Sequence, residues 1–343
     1  MERPTQPAEW APHDAVWLAW PTHRELWGDA LDEAQRSFTD FARAIADVDP
    51  ASTRRGERLE VLVPDQEAED DARAALDGTG ATLRRVPFGD IWLRDTAPIF
   101  VHAPDGSVAA HCFGFNGWGE KYVLDDDDAV SWRVARAASL PGRIFPFVLE
   151  GGSVEVDGEG TLLTSRQCLL NPNRNPSMSQ ADVERALRES LGVEKVLWVT
   201  DGLVNDHTDG HIDTIARYVA PGVVAVMTPG PDDPNADVLR ALIEELKGLT
   251  DARGRRVELV TVPSPGRVLD EGGRVMPASH LNFYVGNTTV VVPTYGTDTA
   301  DEAVRAVGAL FPTRRAVGVD ARAILGGGGA FHCISQQQPS PRR

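Results

Sequence analysis

The chain has 343 residues, 42% hydrophobic and 25% charged, a balance that suits a folded globular protein and excludes an intrinsically disordered one. Its 51 acidic residues against 34 basic ones leave a formal charge of −17, which opposes phosphate backbones and anionic lipid and favours small cations. No apolar run reaches bilayer length, Met1 to Trp10 has neither a basic nor an apolar leader region, and the three scattered cysteines form no disulfide framework or paired zinc spacing. The expectation is a cytoplasmic protein with no nucleic-acid and no membrane partner.

Along the chain, Phe38, Phe41, Ile45 and Val48 share one face of a first predicted helix, and the β-branched run Leu59 to Val63 predicts a strand. Ser179 with Asp182 reads as a capping box opening a helix whose apolar face is Val183, Leu187 and Leu191. Strands are predicted at Val196 to Val199 and Val223 to Met227, then a loop over Pro229 to Pro234, where clustered Pro, Gly and Asp sustain neither helix nor strand. Val238, Leu239, Leu242, Ile243 and Leu246 mark the next helix. Strands at Val257 to Val262 and Thr289 to Pro293 follow, and Thr299 with Glu302 predicts a second capping box.

Five times a strand runs into a polar, Gly- or Asp-rich loop and back into a strand: Gly89 to Val101, Phe147 to Thr164, Asp206 to Val219, Pro277 to Val285 and Leu325 to Ser335. Such a rhythm predicts an α/β repeat architecture with loops converging on one site. No linker divides the chain, so it is read as a single domain over 1–343. Its ordered core covers about 7–336, with frayed ends at Met1 to Gln6 and Gln337 to Arg343.

The most specific segment is Gly326-Gly327-Gly328-Gly329-Ala330-Phe331-His332-Cys333. Four glycines are a poor choice for ordinary structure, but they permit close approach or positive φ, and a thiol follows directly. Cys112 and Cys168, in apolar strand contexts, read as small buried hydrophobes. In Asp206-His207-Thr208-Asp209-Gly210-His211-Ile212-Asp213 a strand would put His211 and Asp213 on one face. No further ligand stands at zinc-like spacing, so no metal is expected. Asp90-Ile91-Trp92-Leu93-Arg94-Asp95 packs charges around a tryptophan, and Glu150-Gly151-Gly152 sets a carboxylate against paired glycines.

Asp95, Glu150, His211, Asp213 and Cys333 thus fall on four of the five loops. A guanidinium is planar, cationic and rich in N–H donors, so carboxylates are its natural partners. Its carbon is a poor electrophile that calls for a thiolate held close. The bound cation favours that thiolate, a histidine moves the protons, and a carboxylate behind the imidazole orients it.

With these segments, with Glu9-Trp10-Ala11-Pro12-His13 and Trp17-Leu18-Ala19-Trp20-Pro21 near the start, and with Gln336-Gln337-Gln338-Pro339 near the end, the chain resembles the Porphyromonas-type peptidyl-arginine deiminase family. Within this family of the guanidine-modifying pentein superfamily, the likeness is to its agmatine deiminases. The resemblance implies a five-bladed α/β propeller of ββαβ modules, and hydrolysis of agmatine to N-carbamoylputrescine without a cofactor. It implies Cys333 as nucleophile, His211 as general acid/base and Glu150 as the support of His211. Asp95 and Asp213 would clamp the guanidinium, and Trp92 would flank the substrate's aliphatic stem. It also favours a homodimer. Family members often carry Asn at the position of Ala330 and a branched aliphatic at Phe331, a departure that bears on the cavity beside Cys333. A deiminase of arginine or another guanidino compound, an amidinotransferase and a non-catalytic binding module remain alternatives, because the residues at the substrate's far end are not legible.

Overall fold

The computed structural model describes residues 3–342; Met1, Glu2 and Arg343, parts of the expected frayed ends, lie outside the described residues. Backbone pairing sorts the strands into five separate sheets, four of three strands and one of four. In each, an antiparallel pair is followed by a helix and a strand that returns parallel to the second, the geometry a crossover helix allows. Ile99–His102, Val108–Gly114 and Gly142–Val148, with the helix Asp127–Ala137, form one such unit. Glu155–Val156, Thr161–Ser165 and Lys195–Val199 form the next, with Gln180–Leu191. Ala216–Ala220, Val223–Thr228 and Glu258–Pro263 follow with Ala236–Leu246, then Tyr284–Val285, Thr289–Thr294 and Arg315–Asp320 with Ala300–Leu310.

The remaining unit joins the two ends of the chain. Gln336–Pro339 pairs antiparallel with His13–Ala19, which runs parallel to Arg58–Val63 across the helix Leu31–Ala46, and Thr82–Arg85 is added outside. The expected mixed α/β fold is therefore present as five ββαβ modules. The ladders themselves establish five sheets and do not join them into a ring. Middle strands such as Thr289–Thr294 are almost wholly buried, which is why they read as continuous apolar runs and not as alternating ones.

Four local expectations need correction. Val48 lies beyond the first helix, whose C-cap Asp47 takes a left-handed φ of 43°, and it is 37% exposed. Thr299 forms no capping box: its hydroxyl donates to the Ser264 carbonyl at 3.0 Å, unlike Ser179, whose box with Asp182 is complete. Gln337 to Pro339 are not frayed, because their strand is buried against His13–Ala19. Thr5, also placed in a frayed end, exchanges backbone hydrogen bonds with His102 at 2.9 Å. No helix among the described residues is long and apolar enough to cross a membrane.

Candidate active site

The helix Arg322–Gly326 ends in the glycine run, and there the chain comes close to its neighbours. Gly328 has φ of +123°, and a Cβ on Gly329 would lie 2.8 Å from the Trp92 ring and 3.0 Å from Cys333 Sγ. A side chain at either position would strain the turn or displace the thiol. The backbone N–H groups of His332 and Cys333 both donate to Asn282 Oδ1, at 3.1 and 3.3 Å. From another loop, Arg94 Nε donates to the His332 carbonyl at 3.2 Å and the Arg94 backbone N–H to the Cys333 carbonyl at 3.0 Å. Two distant loops thus fix the position of the buried thiol.

His211 and Asp213 do not lie on a strand. His211 precedes a 3-10 turn over Ile212–Thr214, so the two residues come together through a tight turn and not through strand alternation. His211, Asp213 and Cys333 line one narrow cavity with Asn282, Tyr295 and Asp206. Asp213 Oδ2 stands 3.7 Å from Cys333 Sγ and accepts from His332 Nδ1 at 2.6 Å, while its Oδ1 has no hydrogen-bond partner among the described residues. Asp95 and Glu150 stand beside this cavity and do not line it. Asp95 Oδ1 is 3.8 Å from His211 Nδ1 and accepts from the Gly152 N–H at 2.9 Å, and its Oδ2 accepts from the Trp118 indole N–H at 2.9 Å. Both ring nitrogens of His211, and Glu150 Oε2, lack a partner among the described residues.

Burial pushes the Cys333 thiol well above its ordinary range, and the carboxylates of Asp213 and Asp95 push it further. Asp95 is raised by burial and by the neighbouring Asp213 and Glu150, against the opposing pull of His211. Burial also works to raise Asp213, but the hydrogen bond from His332 and the charges of His332, His211 and Arg217 hold it below the usual carboxylate range. Ionisation is thus disfavoured at Cys333 and Asp95 and favoured at Asp213.

Cys168 is buried in an apolar cluster as expected, but in the short helix Arg166–Leu169 where a strand was expected, and it lies beside Glu150 and His211. A Glu150 oxygen, Cys168 Sγ and a His211 nitrogen lie within 4.8 Å of one another, donors of the kind that hold zinc. Glu150 Oε1, however, accepts from Arg174 Nε at 2.6 Å, and that buried guanidinium opposes a second cation in the same place. Arg174 also bonds Asp209 and the Thr208 carbonyl, so it ties Glu150 to the His211 loop. Trp92 lies against the glycine run with its N–H on Asp90 Oδ2 at 2.8 Å, and its ring stacks on Trp27. The sequence reading gave no role to Arg94, Trp118, Arg174 or Asn282.

A sequence profile described as Porphyromonas-type peptidyl-arginine deiminase matches residues 5–339. The chain belongs to this family. It is 37% identical to the agmatine deiminase of Pseudomonas aeruginosa (strain LESB58) over 361 aligned positions, covering 98% of this chain and 96% of that one. Its structure matches the agmatine deiminase of Enterococcus faecalis with a TM-score of 0.91 at 31% identity, covering 99% of this chain and all of the other. It also matches a cysteine-to-serine variant of C. jejuni agmatine deiminase with substrate bound, with a TM-score of 0.88 at 26% identity over 99% and 97% of the two chains.

Ala330 and Phe331, the two residues before His332, are placed differently. Phe331 points away from the cavity and stacks on Phe41 with centroids 4.6 Å apart, so its bulk is absorbed by the core. Ala330 lines the cavity.

The Glu-Gly-Gly-Ser segment of this family member carries a prediction. A Cβ on Gly152 would lie 2.6 Å from His211 Nδ1, 3.0 Å from Asp95 Oδ1 and 3.2 Å from Asp213 Oδ2. Gly152→Ala should therefore fold, as judged by circular dichroism, yet lose about 10²-fold in activity because the site groups are displaced by a fraction of an ångström or more. Activity within a few-fold of wild type would show that these three groups need no such close placement.

Proposed function

We propose that this protein is an agmatine deiminase, hydrolysing agmatine to N-carbamoylputrescine and ammonia through a covalent intermediate on Cys333. The observation that carries this reading is a buried thiol 3.7 Å from a carboxylate whose second oxygen has no partner among the described residues, in one cavity with a histidine whose two nitrogens also have none among them. The relatives' names support the substrate.

In this reading Asp95 and Asp213 hold the guanidinium, and its charge lowers the Cys333 thiol towards ionisation. The thiol proton passes to His211, and the thiolate adds to the guanidinium carbon. His211 returns the proton to the departing ammonia, leaving an amidino thioether. Water, deprotonated by His211, then adds to that carbon, the C–S bond breaks, and the product urea group leaves as the thiol is restored. Glu150, with Oε2 free and Oε1 anchored by Arg174, is positioned to orient His211, and Trp92 to confine the aliphatic stem against the glycine run.

An amine tail is favoured over an arginine tail. Among the described residues lining the cavity there is no lysine or arginine to meet a carboxylate, and Asp206 is one of them. We read the whole chain as one domain, working in the cytoplasm without a cofactor or metal, and as a homodimer. Ammonia release measured side by side with agmatine, arginine and guanidinobutyrate tests the reading, which fails if agmatine is not the best of the three.

The raised thiol gives a pH signature. With the ionised form disfavoured at neutral pH, alkylation of Cys333 by iodoacetamide should be slow near pH 7 and should still be climbing above pH 9, the ordinary range of the group. Mass spectrometry of the labelled peptide checks this. A rate already level at neutral pH would mean that a thiolate stands ready before substrate arrives.

A further inference from the structure

His332, directly before Cys333, is buried, and its two ring nitrogens face two different carboxylates. Nδ1 is 2.6 Å from Asp213 Oδ2 and Nε2 is 2.8 Å from Glu9 Oε2. An ionised carboxylate only accepts, so both ring nitrogens must donate, and a ring that donates twice is an imidazolium. Glu9 is fixed on its own far side. Its Oε1 accepts from the Val285 N–H at 2.7 Å, and its Oε2 also accepts from Arg217, which is buried and held by Glu155 and by the carbonyls of Leu281 and Phe283.

We propose that His332 is a positioning residue, an imidazolium clamped between Glu9 and Asp213 that turns the free Oδ1 of Asp213 toward the substrate's guanidinium. This deepens the function proposed above and rests on Asp213 being a substrate clamp. Holding one oxygen at 2.6 Å fixes the carboxylate's rotation and leaves the other oxygen available. The imidazolium also offsets one negative charge, without which Asp213 and Asp95 would repel each other more strongly in the empty site. The charged groups around His332 are Glu9 and Asp213 on its ring nitrogens, Glu155, Arg217 on the far side of Glu9, and Arg94 on its backbone carbonyl.

Two measurements test the proposal. In enzyme labelled with ¹⁵N-histidine, the resonances lost in His332→Gln identify the ring. In the wild type both nitrogens should show the protonated shift at neutral pH. In Glu9→Gln, which removes an anion from beside the ring, the proton should leave at lower pH. A neutral ring in the wild type, or a Glu9→Gln spectrum identical to it across the pH range, overturns the proposal.

Calorimetry then measures agmatine and the bare guanidinium ion binding to Cys333→Ser, with and without His332→Gln. About tenfold weaker binding of both is expected when His332 is lost. In Glu9→Gln, affinity should become dependent on pH in the neutral range. Unchanged affinity in a folded His332→Gln protein overturns the role in positioning. Should that variant not fold, the wild-type and Glu9→Gln spectra and the pH dependence decide. If the wild type binds guanidinium but does not turn over agmatine, the functional reading fails while these results still report on His332.

Discussion

Cys333→Ser should fold as the wild type does and lose at least about 10³-fold in turnover, on the order of 4 kcal/mol of transition-state stabilisation. The thiol is already disfavoured from ionising by burial and two carboxylates, so a hydroxyl in the same place, with a far higher intrinsic pKa, has no route to an alkoxide. The variant should still bind agmatine, because Asp95 and Asp213 are untouched. Cys112→Ser, in a strand of the Asp127–Ala137 module, should keep nearly full activity. Cys168→Ser should lie between the two, since it puts a hydroxyl behind Glu150 and His211 at a stability cost of about 1–2 kcal/mol. Steady-state ammonia release and a thermal melt separate these cases. Turnover by Cys333→Ser within an order of magnitude of wild type would falsify the covalent route.

Asp213→Asn should lower catalytic efficiency by about 2–3 kcal/mol, because a charge-assisted bond to a desolvated cation is replaced by a neutral one. Both the Michaelis constant and the turnover number should suffer, since the clamp acts on bound substrate and on the developing transition state. The same substitution should have the opposite effect on the empty enzyme. Asp213 is, after burial, the largest influence raising the Cys333 thiol, so removing its charge should let the thiol ionise at lower pH. Free Asp213→Asn should then be alkylated at Cys333 faster than wild type at neutral pH while it turns over agmatine more slowly. A variant slower in both assays would mean that Asp213 helps to ionise the thiol, and the proposed division of labour would be wrong.

Periodicity located the helices on Val183, Leu187 and Leu191 and on Leu239, Leu242 and Leu246, and β-branched runs found five strands, because burial imposes those spacings directly on the chain. The rhythm of loops anticipated a fivefold α/β repeat, and the family resemblance supplied the ββαβ form of each module. Inside the site, Cys333 was legible from the glycines that its turn requires. What stayed hidden were residues whose meaning depends on a distant partner. Arg94 reads as a surface charge until it meets the His332 carbonyl, 238 positions away, and Glu9 is separated from His332 by 323 positions. Glu150 was visible as a carboxylate against paired glycines, but not its attachment to Arg174. The pair His211 and Asp213 does share one cavity, but through a 3-10 turn where a strand was expected.

The strand Gln336–Pro339, laid against His13–Ala19, makes the first module depend on a segment translated long after it. The thiol, that strand and the glutamine that holds Arg94 lie close together in sequence, far along the chain from the strand and loop they complete. A nascent chain can build four modules and still lack an edge for the fifth and a nucleophile for the site. A message truncated just before Gln336 would give a protein that retains Cys333, yet leaves His13–Ala19 unpaired on one side and Arg94 without its glutamine. Such a product should be recognised by proteases through that open edge, so that a fragment carrying the reactive thiol without the rest of its site does not accumulate.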